Sequence, residues 1–559
     1  MSRYRLNAST AIEPLVNKWV AWSNVLGPLV SSLHLRNYQG NLLRSYLDNP
    51  QYHAEAFQDP RLRSGRIVGI PAARAAEVKE FLLHTEAEQE DNLRLAECVI
   101  AFHNQLASQA DGLSLDSYYE KLPPELRGYV ELVYDYYDHP IVRFFEGMLY
   151  QSAYYKKQLQ SFRIFRQSDD SRPFFMNTPR LPQPEEIHWQ IPFASDQVDE
   201  LFKLDTTPQE LGYIRELLGL PSAAENSLLP LLTAAELPEY ETWNGAEPRL
   251  RYVGHACVLI EWNGVTILTD PCLGVRPAEV HAERLTYEDL PPRIDYVLIT
   301  HAHHDHFCVE SLLRLRHKIG CLVVPRSNGT FYGDLSLKLC AQAIGFKHVI
   351  ELDALESIGI AEGEIVGIPF LGEHADLPHG KTAYVVRAGQ QRILFAADSD
   401  CLDQEVYRNL RRVLGPIQTV FLGMECVGAP LNWTSGSILP RQPKHSINQS
   451  RRYKGCDSNR GLSLLEAVGA ERLYVYAMGL EPWLEFLLGL AYTPEATQLK
   501  EAQRFLSLAR EAGLVDVRLL NGSCDIYLAI DKRIQVDTKI RKVLIPSPTN
   551  HLNEMTLDQ

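Results

Sequence analysis

From Ala73 to Leu106 apolar residues recur at helical spacing among Glu, Lys and Arg, the pattern of an amphipathic helix. A second stretch, Pro124 to Gln160, also reads as helical. It is rich in aromatics: Tyr129, Tyr134, Tyr136, Tyr137, Phe144, Phe145, Tyr150, Tyr154 and Tyr155. Aromatic side chains bury large areas and dominate interfaces, so this stretch reads as core and oligomer face. Between Leu220 and Pro248 the chain runs LPSAAENSLLPLLTAAELPEYETWNGAEP, punctuated by Pro and Ala in the manner of a joint between domains. The pattern then changes. Arg249 to Ile260, Val265 to Thr269, Tyr296 to Thr300, Cys321 to Val324, Gly363 to Ile368, Ala383 to Arg387 and Ile393 to Ala396 are short β-rich runs bounded by Gly, Pro and Asp. Helical segments lie between several of them, which predicts an α/β sandwich. The expected division is a mainly helical unit over 1–240, a catalytic unit over 241–545 and a tail over 546–559.

Composition narrows this picture. A chain of 559 residues is too long for one core, and 45% hydrophobic with 22% charged residues is ordinary globular usage. No run is long and apolar enough for a membrane span, and the start MSRYRLNAST lacks a signal-peptide core, so no membrane role and a cytoplasmic location are expected. The ten cysteines form no CxxC pair and read as reduced thiols. A net charge of -15 argues against tracking a phosphate backbone, and no nucleic-acid partner is expected. Local basic runs stand at Arg61, Arg63 and Arg66, at Arg408, Arg411 and Arg412, and at Arg451, Arg452 and Lys454.

The segment YVLITHAHHDHF puts an apolar β-branched strand directly before His301, His303, Asp305 and His306. Alternate residues of an extended turn point the same way, so His301 and His303 can grip one metal while Asp305 and His306 face a second. Upstream, GHACVLIEWNGVTILTDPCLG begins a hairpin at Gly254-His255 and ends at Thr269-Asp270-Pro271; together with the His motif it resembles the metallo-β-lactamase superfamily, and so implies an αββα sandwich. His255 is read as part of that hairpin and not of a coordination sphere.

In that superfamily the other ligands come from later strand ends. RILFAADSD ends a strand at Ala397-Asp398, which makes Asp398 the bridging carboxylate and Asp400 the reserve. For the third ligand of the first metal, PFLGEHADLPHG offers Glu373, His374, Asp376 and His379, and spacing does not choose among them. The superfamily's last His has no counterpart: RLYVYAMG continues as Leu480-Glu481-Pro482-Trp483. Glu481, His445 or no protein group fills that position. Glu425 in FLGMECVGAP follows an apolar strand and is a candidate proton-handling group or a loop cap; Trp433 and Trp483 wall a pocket or belong to the core.

Gly372-Glu373-His374, Ala397-Asp398, GMECVGAPLNW and, in the first half, YVELVYDYYDHP and SRPFFMNTPRL resemble a narrower branch, the diiron β-hydroxylase of chloramphenicol biosynthesis and its relatives. The resemblance implies two iron ions, dioxygen as co-substrate, and hydroxylation of an aminoacyl group held on the carrier protein of a nonribosomal peptide synthetase. It implies that His301, His303 and Glu373 hold one iron, Asp305 and His306 the other, and that Asp398 is shared, with Glu373 and Asp305 at the chemistry. An external electron donor, a carrier-protein partner and a homodimer built through the helical unit follow from it. Carboxylate donors suit higher-valent iron and oxygen chemistry, whereas a His-rich set of two zinc ions makes a hydroxide for hydrolysis. The alternative is therefore a zinc-dependent hydrolase of the same fold, and Glu373 is the residue that separates the two. The basic runs Arg61 to Arg66 and Arg451 to Lys454 are the candidates for meeting an acidic carrier.

Overall fold

A computed structural model describes residues 2–279, 284–490, 492–528 and 541–542; the expected tail lies outside the described residues. Two mixed sheets pack face to face in the second half. One has seven strands, ordered Val349–Glu351, Ile319–Val324, Ile294–Leu298, Val265–Thr269, Cys257–Trp262, Arg249–Gly254 and Cys524–Tyr527. The other has eight and runs from Asp516–Leu519 through Arg472–Val475, Thr419–Leu422, Gln391–Phe395, Thr382–Ala388, Gly363–Pro369 and Glu356–Ile360 to Arg541–Lys542. Inward residues of both, among them Tyr252, Val258, Ile260, Ile365, Tyr384, Phe395 and Phe421, form the layer between the sheets. The helices Gln404–Leu414, Ser458–Val468 and Thr497–Glu511 cover the outer face of the eight-stranded sheet. Helix Val309–Leu315 and much of the first half cover the seven-stranded one. The αββα sandwich is thus present, because each strand alternates residues between the shared layer and a helix-covered face.

The first half carries the expected helices, including Ala75–Glu88 and Glu90–Gln109 across the amphipathic run. It also holds a four-stranded sheet, Trp19–Val20, Thr10–Val16, Gln160–Arg166 and Ile187–Gln190. The stretch Pro124 to Gln160 is not helical as expected. It contains the hairpin Val130–Tyr134 with Pro140–Phe144 and only a short helix, Glu146–Tyr150. The residues between those strands form a turn, with Asp138 at φ 58° and the Asp135 side chain accepting from the Tyr137 and His139 N–H groups. Turn chemistry overrode aromatic density there. Tyr136 and Tyr137 at its tip are exposed.

The stretch between Leu220 and Pro248 is only partly a joint. Leu228 and Leu231 are buried, and Leu232–Thr233 pairs with Arg3–Leu6; residues 234–248 form no helix or strand. The two halves share cores: Phe162, Phe193 and Phe202 belong to one cluster with Leu268, Val297 and Leu322, and Trp22 and Phe175 to another with Cys272, Cys308 and Trp483. Among the described residues the cysteines are free thiols, and no helix is long and apolar enough to cross a membrane.

Candidate metal centre

Strand Ile294–Leu298 is parallel to both its neighbours, and its continuation carries the histidine motif out of the sheet. A turn closed by the His306 and Phe307 N–H groups on the His303 carbonyl then folds the motif back. Three other strand ends converge on it. Asp398 follows Gln391–Phe395, with Ala397 at φ 46°. Glu373 and His374 follow Gly363–Pro369. The turn between Arg249–Gly254 and Cys257–Trp262 brings His255.

The donor atoms fall into adjoining sets. His301, His303, Glu373 and His374 each present one within 4.8 Å of the others; so do His255, Asp305 and His306, and likewise His301, His306 and Asp398. Asp398 Oδ2 lies 3.5 Å from His301 Nε2 and 3.2 Å from His306 Nε2, between the two sets. Glu373 Oε1 is 3.7 Å from His303 Nδ1.

Polar contacts behind the histidines fix their tautomers. Thr300 donates its hydroxyl to Asp270 Oδ2 (2.7 Å), so His301 Nδ1–H donates to Thr300 Oγ1 (3.0 Å), and His306 Nδ1–H donates to Asp270 Oδ2 (2.9 Å). Each Nε2 is thereby left as a lone pair facing inward, the arrangement metal-bound histidines take. Asp270, at φ 29° and buried, orients both rings at once. The sequence reading quoted it only as the end of a hairpin; the signal was its place in the Thr269-Asp270-Pro271 motif. Asp270→Asn is expected to weaken metal affinity by roughly 10–100-fold with little change in fold, as measured by chelator competition.

Glu373 and His374 sit in an unusual backbone. Gly372, Glu373, His374, Ala375 and Asp376 all have positive φ, between 52° and 73°. Each such non-glycine residue costs of order 1–3 kcal/mol, and strain of this kind persists only where the surroundings enforce it. Asp400, the reserve candidate for the bridge, supplies part of that enforcement and stays out of the donor sets. Its N–H donates to the Leu371 carbonyl, and its carboxylate takes Arg460 at 2.6 Å. A Cβ on Gly372 would lie 2.7 Å from Asp400 Cβ, so glycine is required there. Of the other two candidates in that loop, the Asp376 side chain is exposed, and His379 packs on the His374 ring outside the donor set.

Among the described residues, neither candidate for the missing last histidine falls in the donor sets. After strand Arg472–Val475 the chain runs alongside the His255 turn, where Ala477 N–H donates to the His255 carbonyl. Glu481 is buried but accepts from the Tyr252 hydroxyl, and His445 is exposed at the start of a helix. His255 Nε2, 2.9 Å from Asp305 Oδ2, is the imidazole that reaches the second set. It belongs to the hairpin, as read, but also falls in a donor set, against the reading that kept it apart from the coordination sphere.

The set is chemically suited to cations. His301 Nε2, His306 Nε2 and His374 Nε2 are buried and make no hydrogen bond, a costly state unless a metal takes those lone pairs. Burial, then the Asp398 charge, holds the Glu373 carboxyl well above the ordinary range; the same causes push Glu425 up to about 8. Asp305, Glu373, Asp398 and Glu425 crowd one buried place, and divalent ions would relieve that repulsion. The centre opens into a cavity of about 320 Å³, walled in part by Glu425, Trp433 and Tyr453. Trp483 instead is core, packed over Gly274.

An αββα sandwich with adjoining donor sets at its strand ends defines a two-metal enzyme of metallo-β-lactamase fold, and residues 249–416 match the beta-lactamase superfamily domain. Residues 5–236 match the diiron non-haem β-hydroxylase N-terminal domain. The chain is 34% identical over 525 residues to a Streptomyces venezuelae 3-hydroxylase of 4-amino-L-phenylalanyl-CmlP-peptidyl-carrier-protein, a match covering 92% of this chain and 98% of that one. The crystal structure of CmlA, a diiron β-hydroxylase of the same species, superposes with TM-score 0.88 at 32% identity, over 94% of this chain and all of that one. A metal-dependent hydrolase of Methanopyrus kandleri is 27% identical over 27% of this chain and 62% of its own. The chain belongs to the diiron non-haem β-hydroxylase family: it is an oxygenase that uses two iron ions and dioxygen, and not the zinc hydrolase that the fold alone allows.

Proposed function

We propose that the protein hydroxylates an aminoacyl group carried as a thioester on a peptidyl carrier protein, with electrons from an external donor. His301, His303 and Glu373 hold one iron, Asp305 and His306 the other with His255 beside them, and Asp398 is shared. The observation that carries the reading is Glu373 beside His301 and His303, a carboxylate where a hydrolytic zinc set has imidazole. When bound and reduced, the iron pair supplies the electrons that activate dioxygen for insertion of one oxygen atom into a C–H bond.

The protein's own groups do the rest. Asp270 and Thr300 keep His301 and His306 in the liganding tautomer. Trp433 and Tyr453 wall the cavity on the substrate side and exclude water. Glu425 lines the same cavity, where burial and the Asp398 charge raise its carboxyl above the ordinary range and so favour its carrying a proton before cations bind. Residues 1–240 supply docking surface and dimer contacts, a role supported by the exposed Leu113, Tyr136 and Tyr137 on that half.

Protein purified from iron-supplemented cells is expected to contain iron, to show iron charge-transfer absorption and, with a reductant and oxygen, to add one oxygen atom to a carrier-loaded aminoacyl group but not to the free amino acid, read by mass spectrometry. Near-stoichiometric zinc without that absorption, or equal turnover of the free amino acid, would overturn the proposal.

A further inference from the structure

His304 lies inside the metal motif but outside every donor set. It stands between His303, which presents its donor to one set, and Asp305, which presents its own to another. Its ring, 4% exposed, packs among Trp22, Phe175 and Trp433, with centroids 6.0, 4.4 and 6.0 Å away. His304 Nε2 is 2.9 Å from the carbonyl of Leu487, a residue 183 positions along the chain. A carbonyl only accepts, so Nε2 carries the hydrogen. Nδ1 is then a lone pair, buried and without a partner.

That arrangement is costly for a residue that merely packs. Phenylalanine would fill the same aromatic cluster without burying an unpaired nitrogen. What the imidazole adds is one directed N–H for Leu487. That carbonyl belongs to the short helix Glu485–Leu488, which ends at Gly489 with φ +60°. Leu488, Gly489 and Leu490 line the cavity that holds His303, Asp305 and Glu373, and so does Trp433, which packs on the His304 ring. Two further ties fix the neighbours of this bond: Phe175 N–H donates to the Phe486 carbonyl, and the Ser23 hydroxyl to the Ala302 carbonyl, both at 3.0 Å. His304 thus joins the backbone between the two metal sets to one wall of the cavity they face.

We propose that His304 is a positioning residue for the substrate: through its hydrogen bond to Leu487 it sets where the wall Leu488 to Leu490 stands relative to the donor sets, and so the register in which the reacting C–H bond meets the metal centre. It acts through Leu487 and holds no metal itself. The proposal rests on the reading of a carrier-bound substrate only for the identity of the group that the wall meets.

The test compares full-length, iron-loaded wild type with His304→Phe, which keeps an aromatic ring and loses the N–H, and His304→Gln, whose amide nitrogen lies as many bonds from Cα as Nε2 does. All three are expected to contain the same iron and show the same absorption. In His304→Phe the amides of residues 486–490 should exchange with solvent roughly three- to tenfold faster, the range set by one lost hydrogen bond. With a peptidyl carrier protein loaded in turn with aromatic and aliphatic amino acids, His304→Phe should form at least about threefold less hydroxylated product per dioxygen consumed, because an ångström-scale misplacement can cost about a hundredfold in rate. His304→Gln should restore both readings toward wild type. Iron lost from His304→Phe, exchange or product yield unchanged in it, or His304→Gln as impaired as His304→Phe would overturn the proposal. If wild type hydroxylates no loaded carrier, the reading of the substrate falls, while iron content and exchange rates still decide the role of His304.

Discussion

Glu373→Ala is expected to lose bound iron and to hydroxylate more than about a hundredfold more slowly, since even groups that only orient a ligand change metal affinity by roughly 10–100-fold. The reason is local. Glu373 is 5% exposed, its Oε2 meets His374 Nδ1, and a run of positive-φ residues holds it beside His301 and His303. A carboxylate placed there, in a site already crowded by Asp305 and Asp398 and faced by the Lys381 ammonium, gains further stabilisation from bound cations. His374→Ala is the competing test, because its ring lies buried in the same donor set but stands outside the proposed ligands. It is expected to keep its iron and its charge-transfer absorption. Glu373→Asp should retain metal while turning over slowly, since the shorter acid preserves the donor type and shifts its position. Elemental analysis and the visible spectrum decide among these; iron lost only from His374→Ala would move the third ligand to that residue.

What could be read from the residues and what could not divide along sequence distance. His301, His303, Asp305 and His306 fall within six consecutive positions after one apolar strand, so periodicity and spacing display them directly. Asp398 was visible for the same reason, as the end of a strand. Spacing did not choose between Glu373 and His374, and both stand in the same donor set on a backbone in which five successive residues take positive φ, a conformation that only Gly372 signals by its identity. His255 and Asp270 were quoted as hairpin residues, yet their partners lie 50 and 36 positions away. No local pattern encodes that approach; it follows from the first hairpin packing beside the strand that carries the motif. The missing histidine was legible in the sequence, but not that the chain after Arg472–Val475 runs beside the His255 turn, where Ala477 pairs with His255. In the first half the misread Pro124 to Gln160 stretch shows the opposite error. Its aromatics suggested a buried helix, while Asp135 and Asp138 were closing a hairpin.

Glu13→Gln is expected to destabilise the protein by about 3–5 kcal/mol, the cost typical of removing one partner from a buried ion network. Glu13 is fully buried on the strand Thr10–Val16, directly opposite Arg163 on Gln160–Arg166. Arg180 grips it twice, at 2.9 and 3.0 Å; Arg163 lies at 3.1 Å and Arg172 at 3.6 Å. Burial alone would raise its pKa, but the charges of Arg180, Arg163 and Arg172 overcome this and hold the carboxylate well below the usual range. Because the folded value is depressed, the network's contribution is complete above the ordinary glutamate pKa and is lost as pH falls toward the folded value. The gap between wild type and variant should therefore narrow in acid, which calorimetry at descending pH can follow. The effect should also reach the metal site. Arg172 connects Glu13 to Glu310 of the sandwich and stacks on Phe486, two residues before Leu488 and Gly489, which line the cavity of the metal centre. If the halves were independent, Glu13→Gln would shift one unfolding transition and leave iron retention on heating unchanged. With shared cores and this network joining them, a single transition is expected to move and iron release to move with it.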